Sequence, residues 1–162
     1  MKSLRVLLLA ALLPLHAVAD IEDRVLTSKG AGSVKTEAKK GDAERDYERG
    51  VQFAQGDGVQ QDYKQAAQFY RRAAEKGLAS AQYDLGYLYE KGLGVVCDFK
   101  QAAIWYRKAA LQGDPEAQNN LGVLYASGQG VPRDDAEAIH WYRLAAAQDD
   151  PQATSNLGSM YL

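Results

Sequence analysis

The chain has 162 residues, with 19 basic and 21 acidic side chains, a formal net charge of −2 and one cysteine. That length is enough for one domain with a real hydrophobic core, and a single cysteine rules out an internal disulfide, so stability must come from packing. Mild acidity without a basic run argues against nucleic acid and against anionic membrane surfaces as partners.

Residues 1–19, MKSLRVLLLAALLPLHAVA, place Lys2 and Arg5 ahead of an apolar run that ends in small residues. Ala17-Val18-Ala19 fits the small-x-small cleavage pattern, which predicts a secretory signal peptide cut after Ala19 and a new N-terminus at Asp20. The apolar run is shorter than the roughly 20 residues of a spanning helix, so no stable membrane anchor is expected. No cysteine follows it, which argues against a lipid anchor. In a Gram-negative bacterium the product is periplasmic. Loss of Lys2 and Arg5 takes the net charge from −2 to −4. Residues 20–42, DIEDRVLTSKGAGSVKTEAKKGD, are polar and glycine-containing and read as a mostly flexible leader.

From residue 43 the chain repeats with a 36-residue period: 43–78, 79–114, 115–150 and a partial copy, 151–162. Leu85, Leu121 and Leu157 align, and Arg49 replaces the leucine in the first copy. Gly50, Gly86, Gly122 and Gly158 align, as do Phe53, Tyr89, Tyr125 and Tyr161. Self-similarity at such a period predicts a stacked repeat protein, an all-α solenoid of antiparallel helix pairs.

Two helices are predicted per copy. In the second copy Ala81, Leu85, Gly86 and Tyr89 share one face of the first helix. Gly92-Leu93-Gly94 ends it, since glycine supplies a left-handed cap. Asp98 starts the second helix with Gln101 three residues on. Asp62 with Gln65, and Asp134 with Glu137, repeat this capping-box pattern. Ala102, Trp105, Tyr106 and Ala109 form the buried stripe. Pro115 and Pro151 fall in the first turn of the helix they open, where a missing N–H does no harm. The glycine inside each first helix costs about 1 kcal/mol relative to alanine. Its recurrence predicts a backbone approach too close for a side chain, expected from alanines of a neighbouring helix.

The pattern A-x-x-x-L-G-x-x-Y-x-x-G-x-G-V-x-x-D-x-x-x-A-x-x-W-Y-x-K/R-A-A, carried by Ala81 to Ala110 and Ala117 to Ala146, resembles the Sel-one-like repeat of the tetratricopeptide superfamily. The first copy departs at Arg45, Arg49 and Phe69, which suggests an end cap. The resemblance implies a right-handed superhelix with a concave face lined by the first helices, and a role as a non-catalytic protein-binding adaptor. Small periplasmic members of the family include immunity proteins that neutralise secreted lipase toxins, which makes a toxin the most concrete partner expected. The other readings it leaves are an envelope adaptor or virulence factor that binds host or envelope proteins, and a weak β-lactam hydrolase. The last belongs to a cysteine-rich subgroup whose helix-bridging cysteine pairs are absent here, as are Ser-x-x-Lys, Ser-Asp-Asn and Lys-Thr-Gly.

No catalytic, cofactor-binding or metal-binding residue is assigned. His140, the only histidine after the leader, reads as a helix-surface residue, and with Cys97 it makes too small a ligand set for a metal. Cys97 reads as a free thiol. The Gly-x-Gly pairs follow helices and lack a Gly-Lys-Ser/Thr, so they are not phosphate loops. What remains is a surface. The first-helix face opposite the core holds Glu44, Tyr47, Val51 and Ala54; then Ser80, Tyr83, Tyr87 and Glu90; then Glu116, Asn119, Val123 and Ala126. Of these, Tyr47, Val51, Tyr83, Tyr87, Glu90, Asn119 and Val123 are the candidate protein-binding residues, with exposed tyrosines as the anchors. The last copy stops after PQATSNLGSMYL, which is expected to be a lid helix or the start of further repeats. A monomer is expected, because no feature specifies symmetry.

Overall fold

The structure, a computed structural model, describes residues 41–161. The signal peptide at 1–19 and the leader up to residue 40 lie outside the described residues. Seven helices follow in order: α1 (residues 41–55), α2 (Tyr63–Glu75), α3 (Ala79–Lys91), α4 (Phe99–Ala110), α5 (Pro115–Ser127), α6 (Asp135–Ala146) and α7 (Pro151–Ser159). No strand occurs among the described residues. Each helix packs on its neighbours in the chain, α2 on α3, α3 on α4, and so on to α6 on α7. This is the repeat solenoid that the period predicts. Gly41 and Asp42, the last residues of the predicted leader, are helical. Asp42 pairs with Arg45 one turn on.

The helix ends follow from named residues. Asp62, Asp98 and Asp134 are extended and accept from the N–H groups two and three residues ahead. The reciprocal half of the capping box does not form. The N–H groups of these aspartates instead donate to the carbonyls of Phe53, Tyr89 and Tyr125 at 2.9–3.0 Å, and Glu137 accepts from the Trp141 indole at 3.1 Å. Each loop is thereby tied back to the helix it leaves. Pro115 and Pro151 open α5 and α7 as expected. Gly92 and Gly128 cap α3 and α5 in the left-handed conformation. The second glycine of each pair has a further reason. A Cβ on Gly94 would lie 2.2 Å from the Tyr63 backbone, and one on Gly130 as close to that of Phe99. These loops rest on the start of the preceding copy's second helix, and no other residue fits.

The helix-interior glycines are filled differently from expectation. A Cβ on Gly50, Gly86 or Gly122 would meet the ring of Tyr70, Tyr106 or Tyr142 at 2.5–2.8 Å. The close neighbour is a tyrosine of the copy's own second helix, not an alanine side chain. The backbone carbonyls of Ala102 and Ala138 are nearby at 3.2–3.3 Å. Gly158 has nothing within 4 Å.

Burial of Ala102, Trp105, Tyr106 and Ala109 agrees with the predicted stripe. Successive copies are joined by a polar ladder. Gln82 and Gln118 are buried; their amides donate to the Ala74 and Ala110 carbonyls, and their oxygens accept from Gln112 and Gln148. At the N-terminal edge the same two positions hold Asp46 and Lys76, an ion pair at 2.6 Å. Arg45 and Arg49 there are exposed, whereas Ala81 and Leu85 at those positions are fully buried. The arginines thus give that side of α1 a polar surface.

Candidate binding face

All seven candidate residues lie on α1, α3 or α5, but the structure uses them unequally. Tyr87 and Val123 are exposed, at 39% and 38%. Tyr47, Val51, Tyr83 and Glu90 are half-buried. Tyr47 packs on Tyr70 with ring centroids 5.6 Å apart, and Tyr83 on Tyr106 at 5.7 Å. The two pairs are equivalent, one copy apart. They show rigid tyrosines presenting one edge outward rather than free side chains. Glu90 accepts from the Tyr106 hydroxyl at 2.7 Å and from Lys91 at 2.5 Å. Lys91 also lies over the Tyr87 ring, 5.6 Å from its centroid.

Asn119 is a correction. It is 3% exposed, against the expected open position, and reaches the surface only as part of a cleft lining. Its amide oxygen accepts from Asn156 of α7 at 2.9 Å. The next copy's first helix covers it, a neighbour that a single-helix pattern does not contain.

The residue after each of these positions was missed. Glu48, Asp84, Asn120 and Asn156 align. Asp84 is half-buried near the Tyr47 and Tyr70 hydroxyls of the preceding copy, whose proximity favours its ionised form. Burial outweighs them. With the nearby charges of Asp114 and Glu116, it pushes the carboxyl up to about 6. Asn120 stands in the same relation to Tyr83 and Tyr106. Burial and then the charge of Asp84 raise the Tyr47 hydroxyl to about 12. Burial and then Glu116 raise that of Tyr83 to about 12. Tyr106 is pushed far above its ordinary value by burial and by Glu90. These phenols stay protonated and act as donors. A signal for Asp84 existed in the sequence, because that position changes from acid in the first two copies to asparagine in the next two.

Beside this row, Tyr83, Glu116, Asn119, Asn120, Asp150 and Gln152 line a cleft of about 260 Å³. Lys91 is the only cation of α3, α5 and α7. The second helices α2 and α4 instead carry Lys64, Arg71, Arg72, Lys100, Arg107 and Lys108 against the single acid Glu75. Cys97 is exposed and free, its thiol 3.3 Å from the Glu90 carbonyl. His140 is exposed beside Trp141. Among the described residues no cluster of three or more His, Cys, Asp or Glu is arranged to hold a metal. None of their helices is long and apolar enough to cross a membrane.

A stack of antiparallel helix pairs with a lined, variable face defines a tetratricopeptide-like solenoid. Residues 47–78, 79–114 and 115–150 each match the Sel1 repeat model, and the chain belongs to the Sel1 repeat family. It is similar to a protective antigen of uropathogenic Escherichia coli strains that displays the SLR fold, at 45% identity and a TM-score of 0.72, over 80% of this chain and 28% of that one. It is also similar to a Sel1 repeat protein from Oxalobacter formigenes, at 38% identity and a TM-score of 0.72, over 77% of this chain and 51% of that one. Helicobacter pylori cysteine rich protein B matches at 26% identity and a TM-score of 0.56, over 59% of this chain and 72% of that one. The chain thus spans well under two thirds of the first two relatives. Comparison with curated proteins gave no match. Sel1 repeats are protein–protein interaction modules, generally without catalysis.

Proposed function

We propose that this chain is an exported protein-binding module that engages its partner through the face of α1, α3 and α5, the concave side in this superfamily, and that it serves as an immunity protein against a secreted lipase-type toxin. The observation that carries the binding reading is the contrast between positions. Core and cap residues are held from copy to copy, whereas the positions on this face change along the array, as Tyr47, Tyr83, Asn119, as Glu48, Asp84, Asn120 and as Val51, Tyr87, Val123. Rigid aromatic side chains with one edge free suit a hot spot. The export reading rests on residues 1–19.

The toxin reading is tested by expressing a phospholipase encoded beside this chain's gene in the periplasm, with and without the chain. Protection that is lost in a Tyr83→Ala/Tyr87→Ala double variant supports it. Unchanged killing with a chain that is folded and exported contradicts it. The likeness to a protective antigen favours a second reading, an envelope adaptor that binds host or envelope proteins. Recovery of such a protein, and no lipase, by the chain from envelope extracts distinguishes the two.

A further inference from the structure

We propose that the exposed side of α2 and α4 docks the chain reversibly on a membrane surface that carries anionic phosphate headgroups, with one headgroup seated in the groove between α2 and the loop before α4. This surface uses none of the candidate residues of the α1–α3–α5 face, and the proposal stands apart from the reading of that face.

The groove is an open cavity of about 510 Å³, lined by Lys64, Gln68, Arg71 and Arg72 of α2 and by Gly94 and Val95 of the loop. All four polar side chains are exposed, and no acid lines the cavity. Two of its cations are held in place. Arg71 donates to the Tyr89 hydroxyl at 2.5 Å. Arg72 lies over the Phe69 ring, 4.1 Å from its centroid, with Asp46 3.4 Å from its Nε. Lys64 makes no ion pair among the described residues. Positioned donors of this kind hold phosphate oxygens by charge-assisted hydrogen bonds. A cavity of this size is roomier than a bare phosphate needs and suits a whole glycerophosphate headgroup.

A second, independent observation lies beside the groove. Val96, Ile104 and Leu111 are 86%, 47% and 71% exposed. Their equivalents in the first copy are Gln60, Gln68 and Glu75, and in the third Pro132, His140 and Ala147. The scaffold therefore does not require an aliphatic side chain at any of the three. Val96 directly follows Val95 of the groove. Ile104 and Leu111 interleave along α4 with Lys100, Arg107 and Lys108, all within about 100° of one helix face.

Cations and exposed aliphatics together select the occupant. A lipid interface offers phosphate and, just below it, acyl carbon. A free phosphate leaves Val96, Ile104 and Leu111 in water. An acidic protein segment satisfies the charge, but this face has no exposed aromatic anchor of the kind that protein hot spots use, since Trp105 is buried and Phe69 and Phe99 are half-buried. The net acidity of the whole chain argues against an anionic surface. The fold sorts those charges by helix, and Glu75 is the single acid of α2 and α4. The face ends at α6, where Ala136 and Leu144 replace the cations and Asp135 and Glu137 add acids. None of the described helices is long and apolar enough to cross a membrane, so the contact is peripheral.

The test is co-sedimentation of the chain from Asp20 onward with phosphatidylcholine vesicles, either pure or with one quarter phosphatidylglycerol. The chain should sediment with the mixed vesicles only, and should be released as NaCl rises from about 0.05 M to about 0.5 M. Lys64→Gln/Lys100→Gln should weaken that binding about twentyfold. Val96→Ser/Ile104→Ser should weaken it about tenfold. All four residues are exposed, and circular dichroism checks that both variants keep their helices. Tyr83→Ala/Tyr87→Ala should bind the vesicles as tightly as the wild type, so this test and that of the partner face fail independently. Equal sedimentation with pure phosphatidylcholine, no sedimentation at all, or silence of either lining variant overturns the proposal. Displacement by glycerol 3-phosphate with Val96→Ser/Ile104→Ser silent assigns the groove to a soluble phosphate. Capture by poly-glutamate without vesicle binding assigns the face to an acidic protein segment. Either of these results overturns membrane docking.

Discussion

The outward faces of the two helix series differ in what varies along them. On the second helices the same cation recurs: Arg71, Arg107 and Arg143 align, and Arg71 and Arg143 donate to the hydroxyls of Tyr89 on α3 and of Tyr161 just beyond α7. Those arginines are part of the scaffold that joins copies. On the first helices the aligned set runs Glu48, Asp84, Asn120, Asn156, and the set before it runs Tyr47, Tyr83, Asn119. A repeated residue in a solenoid carries the stacking contact it is seen to make. A residue that changes while its scaffold stays constant is free to carry recognition. The difference between the faces is therefore informative in a way that the basic or acidic tally of the chain is not.

Four substitutions test that division between scaffold and variable positions, from the strongest effect down. Tyr106 is fully buried, fills the space left by Gly86 and donates to Glu90. Tyr106→Ala should cost about 3–5 kcal/mol, read by urea denaturation. A loss below 1 kcal/mol would show that the glycine–tyrosine contact is not structural. Gly122→Leu drives a side chain into the Tyr142 ring and should cost about 1–3 kcal/mol. Unchanged thermal stability contradicts the close contact.

Asp84→Asn should do the reverse. Its folded-state carboxyl sits at about 6, above the ordinary 3.8, so the folded chain holds a proton that the unfolded chain releases. Stability is thereby lost as pH rises from about 4 through about 6. The amide should raise stability at pH 7.5 by about 1–2 kcal/mol and flatten that part of the wild-type pH profile. A destabilised variant with an unchanged profile refutes the assignment. Gly158→Ala is the smallest effect. Nothing lies within 4 Å of that position, so alanine should gain up to about 1 kcal/mol of helix propensity. The same change at Gly122 should destabilise, and equal signs at the two sites would undo the explanation.

Much of the scaffold was legible. The period, both helices of each copy, the aspartate and glycine caps and the alanine–aromatic stripe follow from local spacing, because each depends on residues within one helix pair. Most failures come from contacts with a helix other than the residue's own. Asn119, Gln82 and Gln118 are buried by helices of the neighbouring copy, which a single-helix pattern does not include. The capping-box expectation failed for a similar reason: the aspartate N–H groups were already engaged by the preceding helix. Tyr70 and Tyr106 were legible as core, but not as the supports that hold Tyr47 and Tyr83 in place. Asp84 was overlooked because its importance lies in a comparison across copies at one position, not in its spacing within a helix.

The central claim is that recognition of the protein partner belongs to the first-helix face and not to the second. Titration calorimetry of a partner recovered from envelope extracts, against two double variants, measures it most directly. Tyr83→Ala/Tyr87→Ala should bind at least tenfold more weakly with unchanged helicity, since truncated hot-spot residues commonly cost about 2 kcal/mol or more. Lys100→Ala/Arg107→Ala should bind within twofold of the wild type. Equal affinity in the tyrosine variant, with the loss falling on the α4 variant instead, contradicts the account.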